Sequence, residues 1–121
     1  MLPVLNPGRY VFVTLPSDQS LDRRYIIASV RELEGLSVIL TEHDAIELGF
    51  SASYVAAWIS LTVQSDLAAV GFTAGFSNAL GQAGISCNVV AGNHHDHLFV
   101  PHDQAEVAMS ILQDLQARDA V

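Results

Sequence analysis

The sequence predicts an α+β fold: a ferredoxin-like sandwich with helices on one face of an antiparallel sheet. Three observations predict it. First, Ala57, Ile59, Leu61 and Val63 alternate with Trp58, Ser60 and Thr62, the period of two that gathers aliphatic side chains on one face of a strand. Second, Ser65 and Asp66, both good N-caps, lead a run with apolar residues at Ala69, Phe72, Phe76, Ala79 and Ala83, and with Val70 and Leu80 at its edges. Steps of three and four lay these on one helical stripe, and Gly84 reads as the left-handed residue that ends it. Third, the stretch A-G-I-S-C-N-V-V-A-G-N-H-H-D-H-L-F-V-P, Ala83 to Pro101, predicts a strand over Ile85 to Ala91, a turn at Gly92-Asn93 and a strand over His97 to Val100 stopped by Pro101. A second helix follows: Asp103 is placed to cap it, Glu106 to reach back to the cap, and Ala105, Ala108, Met109, Leu112 and Leu115 to form its buried stripe. Strand, helix, strand, strand, helix is the order of a split βαβ sandwich, an architecture that hosts many functions.

The first part of the chain repeats the pattern less clearly. Arg9 to Leu15 alternates Val11, Val13 and Leu15 with Tyr10, Phe12 and Thr14, two bulky sets that predict a strand buried on both faces. Pro16 ends it, and the polar Ser17 to Arg24 reads as a surface loop. Tyr25 to Leu33 is rich in residues that favour extended backbone, Glu34-Gly35 makes a turn, and Leu36, Val38 and Leu40 alternate in a hairpin partner. Glu42 to Leu48 predicts a short helix ended by Gly49. The expected units are therefore residues 1–56 and 57–121, the first with a loop in place of its first helix. After Leu115 only Q-A-R-D-A-V remains, too short and polar for a final strand. An open edge beside an apolar strand invites aggregation, so another segment, first of all the Tyr10 strand, is expected to fill that place.

The strings A-W-I-S-L-T-V, S-D-L-A-A-V-G-F-T-A, A-G-I-S-C-N-V-V-A-G and H-H-D-H-L-F-V-P resemble the small bacterial ACT-domain proteins built from two ACT-like units. The resemblance spans roughly Tyr10 to Leu115, and the last two strings are its specific part. It implies regulatory βαββαβ modules that typically bind amino acids at an interface between two such domains. The eukaryotic cytosolic arginine sensors look like distant, enlarged relatives. By the same resemblance, the loop before the first helix contributes to the ligand site, although the frequent acidic residue followed by Pro-Gly is absent here.

Composition narrows the function. Five arginines, no lysine and thirteen carboxylates give a net charge of −8, and neither part of the chain offers the basic footprint that nucleic acid or an anionic membrane requires. No run approaches the roughly 18 apolar residues of a membrane span, and no signal peptide is evident at the N-terminus. Cys87 stands alone, which suits a reducing cytoplasm. No nucleophile elbow, phosphate loop, H-E-x-x-H or CxxC is present, so neither catalysis nor a cofactor is expected.

Candidate binding residues lie on two segments. At Ser65, Asp66 and Leu67 the unpaired N–H groups of a helix start suit a carboxylate, Asp66 suits an α-ammonium, and Gly71 permits close approach. Ile85, Ser86 and Asn88 are expected to face that loop, Asn88 offering both a donor and an acceptor. Each has a plainer structural meaning: a helix cap, relief of crowding, and backbone bonding. His94, His95, Asp96 and His97, with His102, carry ligand types that suit zinc or another divalent metal. Strand histidines beside a turn serve equally as surface or interface residues, and no metal site is expected. The expectation is an amino-acid-binding sensor with a possible homodimer or partner enzyme. The alternatives are an interaction module with a vestigial pocket, or a metal-binding protein.

Overall fold

The computed structural model describes residues 2–62 and 72–119, side chains at 72–74 and 118–119 excepted. Its elements are β1 (Pro3–Leu15), β2 (Ala28–Glu32), β3 (Gly35–Thr41), α1 (Glu42–Glu47), β4 (Ala56–Leu61), α2 (Phe72–Gln82), β5 (Asn88–Ala91), β6 (Asp96–Pro101) and α3 (Ala105–Asp119). The chain forms two compact units, Gly8–Ala56 and Met1–Pro7 with Ala57–Val121. The first seven residues therefore join the second unit, not the first as the division at residue 56 implied. Among the described residues no helix is long and apolar enough to cross a membrane.

In the unit Gly8–Ala56 the strand order is β2-β3-β1. Strand β3 runs antiparallel to both neighbours, with Leu15 opposite Leu36 and Arg31 opposite Leu36. Val11, Val13 and Leu15 point into a core shared with Val38, Leu40 and Ala45. The other face of β1 is not uniformly buried as expected: Tyr10 is, but Phe12 is 38% exposed. No helix follows β1. Its place is taken by the segment from Pro16 to Ile27, which is not wholly a polar surface loop, because Leu21 and Ile26 pack on the core. Nor does the next strand begin at Tyr25. The Asp22 carboxylate accepts a hydrogen bond from the Arg24 N–H and caps a 3-10 turn over Arg23–Tyr25, so β2 starts only at Ala28.

Helix α1 shows why its sequence predicted it well. Thr41 Oγ1 accepts from the Asp44 N–H at the start. At the end, Gly49 has φ +84°, its N–H meets the Ile46 carbonyl, and the Phe50 N–H meets the Ala45 carbonyl. That is a Schellman closure, and Phe50 and Ala45 supply its apolar contact.

In the other unit the order is β1-β4-β6-β5. Among the described residues no strand follows α3, and residues Pro3–Pro7 of β1 stand in the fourth place. Leu2 accepts from the Thr62 N–H and hydroxyl, and Asn6 reaches the Trp58 carbonyl and the Ser60 hydroxyl. Low numbers meeting high ones make the register antiparallel. The expected candidate was therefore the right strand, but the part that fills the gap precedes Tyr10. Ala57, Ile59 and Leu61 form one side of the core with Leu98 and Val100, covered by Phe76 and Leu80 of α2 and by Ala105, Ala108 and Leu112 of α3.

Both helices differ in detail from their predicted stripes. Among the described side chains of α2, Phe76 and Leu80 are fully buried, while Ala79 is half-buried; Ala83, after the helix, is exposed. Gly84 ends α2 at φ +74° with a second Schellman closure, Gly84 N–H to Gly81 and Ile85 N–H to Leu80, and the Ile85–Leu80 contact pulls the stripe toward Leu80. Val63, Ala69 and Val70 lie outside the described residues, as does the Phe72 side chain. Asp103 does not occupy an N-cap: a 3-10 turn over His102–Gln104 precedes α3 and contains it. The predicted stripe of α3 holds, with Ile111 added.

One glycine limits what the first unit tolerates. Gly35 has φ +143°, and a Cβ there would lie 2.3 Å from the Leu15 carbonyl oxygen, a backbone atom that cannot swing away. Gly35→Ala is expected to cost about 3 kcal/mol or more and to lower Tm by roughly 10 °C or more. A variant melting within about 2 °C of the wild type would show that the β2–β3 hairpin enters differently.

Candidate functional site

The expected ligand site is only partly within the described residues. Ser65, Asp66, Leu67 and Gly71 lie outside them. On the described side, Ile85 is not a lining residue. It is buried in the helix-covered core and its N–H is spent on Leu80, so it can offer a ligand only its carbonyl. Ser86 is exposed but precedes β5, which begins at Asn88 rather than at Ile85. Asn88 is exposed and stands opposite Phe99, on the sheet face away from Leu98 and the helices. Cys87 packs against the core, and burial pushes its thiol up to about 11.

That helix-free face carries a polar network the sequence reading missed. The Asn6 amide donates to the Trp58 carbonyl at 3.2 Å and to Ser60 Oγ at 3.0 Å. The Trp58 indole N–H donates to His97 Nδ1 at 3.0 Å, and Ser60 Oγ lies at the same distance from that nitrogen. An indole can only donate, so His97 Nδ1 is unprotonated and the imidazole proton sits on Nε2, with Ser60 donating as well. Trp58 also stacks on Phe99, ring centres 6.1 Å apart. Period two could have found this set, since Trp58 and Ser60 alternate with the core row of β4, and His97 and Phe99 with that of β6.

The histidine cluster is divided by its local structure. His95 was expected to share a strand face with His97, but it precedes β6, whose first residue is the buried Asp96. His95 Nδ1 is buried without a hydrogen-bond partner. The His97 pKa is lowered, chiefly by burial and then by His95, against a smaller opposing pull from Asp96. Among the described residues no three histidine, cysteine or carboxylate side chains are grouped to hold a metal ion.

Grooves open on the unit Gly8–Ala56. One, of about 470 Å³, is lined by Phe12, Thr14, Ser37, Phe50 and Ser51 among others. Near it the Tyr54 ring faces Phe12 at 6.1 Å, and the Tyr54 hydroxyl is buried without a partner. Another, of about 520 Å³, lies at the end of β1 beside Arg31 and Glu32.

Two distinct ACT-domain profiles match the sequence in tandem, one over residues 1–57 and one over residues 46–114. The chain belongs to the ACT-domain family. A solved structure from Vibrio cholerae, of a protein of unknown function and possible transport protein, is 41% identical to this ACT-domain chain. It covers 91% of the chain and 85% of its own length, with a TM-score of 0.81. At 10% identity the aspartokinase alpha and beta subunits share the fold, with TM-score 0.70 over 97% of this chain and 98% of theirs. An Agrobacterium tumefaciens protein does so at 18% identity and TM-score 0.67, over 93% of this chain and 87% of its own. No curated protein sequence matches. The ACT fold expected from the sequence is thus the fold observed, with two ACT-like units, and ACT domains are typically small-molecule regulatory modules.

Two measurements check the local chemistry of this ACT protein. Folded His97 titrates below the roughly 6.5 of an unfolded imidazole, so between the two values the unfolded chain binds more protons. Its contribution to stability is complete above about pH 6.5 and is lost as pH falls through the lower folded value. Urea unfolding should therefore show stability dropping from about pH 7.5 to about pH 5, with a shallower slope for His97→Gln; identical slopes would remove His97 as the cause. Cys87, with its thiol held up near 11, should alkylate with iodoacetamide at least roughly tenfold more slowly than free cysteine at about pH 8. Equal rates would show an exposed, ordinary thiol.

Proposed function

We propose that this ACT-domain protein is a cytoplasmic, non-catalytic regulator that binds an amino acid and responds by shifting between two arrangements of its units or subunits. The observation that carries the reading is the tandem match, in which two domains of a small-molecule regulatory family account for residues 1–114. In this reading the ligand carboxylate goes to the N–H groups of Ser65 to Leu67. Its ammonium goes to Asp66, Gly71 leaves it room, and the exposed Ser86 and Asn88 orient it. Burying a zwitterion without such partners costs several kcal/mol, so these contacts decide affinity. The lone, half-buried Cys87 fits a reducing compartment, and a homodimer or a partner enzyme would receive the signal.

A thermal screen across the twenty amino acids tests this. A true ligand at a hundred times its Kd stabilises by about 2.7 kcal/mol, a clear rise in Tm. By calorimetry, Asp66→Ala should weaken binding by about 1–3 kcal/mol, and a bulky residue at position 71 should abolish it. No rise with any amino acid would favour an interaction module with a vestigial pocket.

A further inference from the structure

On the helix-free face of the unit that contains β4, β5 and β6, one imidazole nitrogen is met by two donors. His97 Nδ1 accepts the Trp58 indole N–H and the Ser60 hydroxyl, each at 3.0 Å, and Ser60 Oγ accepts the Asn6 amide, also at 3.0 Å. The ring has little freedom to present its other nitrogen instead. On that side the β5–β6 turn closes on it, and a Cβ added to Gly92 would lie 3.3 Å from Nε2. The charged neighbours that act on the ring are His95 at the turn and Asp96 beside it on β6. Strands β1, β4 and β5 bring Asn6, Trp58, Ser60 and Val90 to this face, and none of these titrates.

The neutral ring carries its proton on Nε2, so a second proton must go to Nδ1. That turns the shared acceptor into a donor, and the network absorbs only part of the change. Ser60 Oγ has two lone pairs: it accepts the new N–H, keeps the Asn6 amide and turns its own hydrogen away. Trp58 has no such exchange. An indole N–H only donates, so it loses the acceptor at His97 and faces another N–H at hydrogen-bond distance. Trp58 is partly exposed, which leaves its ring a way toward water. What holds it back is the stack on Phe99, ring centres 6.1 Å apart, and Phe99 is buried beneath it.

We propose that His97 and Trp58 form a proton-operated latch: protonation at Nδ1 releases the indole from His97 and from Phe99, while Asn6 and Ser60 keep the start of β1 in the sheet. The latch is closed while His97 is neutral. It opens only below the roughly 6.5 of a free imidazole, because burial and His95 outweigh the pull of Asp96. It needs no ligand at Ser65 to Asn88. Trp58 is the only tryptophan, so its emission reports the latch. Imidazole ¹H–¹⁵N spectra of the whole chain follow His97, and far-UV circular dichroism follows the fold, from about pH 7.5 to about pH 4.5. As His97 titrates, the emission maximum should move to longer wavelength and acrylamide should quench it more strongly, with the dichroism unchanged. His97→Gln keeps an acceptor and removes the proton site, so its emission should stay at the short wavelength throughout. Trp58→Phe removes the donor that favours the neutral ring, and it should raise the His97 pKa by roughly half a unit or more. The proposal is overturned by a His97 titration that leaves emission and quenching unchanged, by the same shift in His97→Gln, or by an unmoved His97 pKa in Trp58→Phe. It is equally overturned by a neutral ring with its proton on Nδ1, by a ring still neutral at about pH 4.5, or by emission that shifts only as the dichroism is lost.

Discussion

A β-strand must have its edge groups met, and in this protein one strand meets that need for two units. The last eight residues of β1, from Gly8, belong to the unit that runs to Ala56, where Tyr10 to Leu15 pair with β3. Its first five, Pro3 to Pro7, belong to the other, where Leu2 and Asn6 meet β4. The second unit thereby acquires a fourth strand, and among the described residues none follows α3. Gly8, at φ +113°, sits where the strand passes from one duty to the other, a conformation that an L side chain resists. Contiguous division at residue 56 is thus a statement about sequence, and the compact units cut across it.

How much of this the sequence made legible depends on whether the signal was local. The alternation from Ala57 to Leu61, the glycines that close α1 and α2, and the stripe of α3 are local, and all reappear in the fold. The first half of β1 was not legible. Pro3, Asn6, Pro7 and Gly8 carry no strand signal, and proline is tolerated in a strand only where no ladder N–H is required, as at an edge. In its own unit β1 is the outermost strand, which is the information a local reading lacks. Asp22 shows the reverse case, in which one side-chain cap turns a β-prone Tyr25 into part of a 3-10 turn.

The candidate site was legible in kind more than in place. Period two correctly separated Ile85 and Cys87 from Ser86 and Asn88, yet it could not show that Ile85 serves as the apolar clasp of a helix terminus. The histidines were conspicuous for their chemistry, but a metal site depends on directions that spacing does not give. His97 instead accepts from Trp58 and joins Asn6 through Ser60, linking β1, β4 and β6 on the face opposite the helices. Such a network is worth most when every member is satisfied. Protonating His97 would remove the acceptor on which two donors converge.

The replacement of a helix by a loop has a chemical consequence for ligand recognition. A helix start presents backbone N–H groups and a positive dipole end, so an anion can be held without any cationic side chain. The segment from Ser65 onward carries no arginine or lysine before Arg118, so under the proposed reading a carboxylate there would be held by that backbone device. In the unit Gly8–Ala56 the segment after β1 covers its core with Leu21 and Ile26 and contains only a three-residue turn, so no comparable dipole is available.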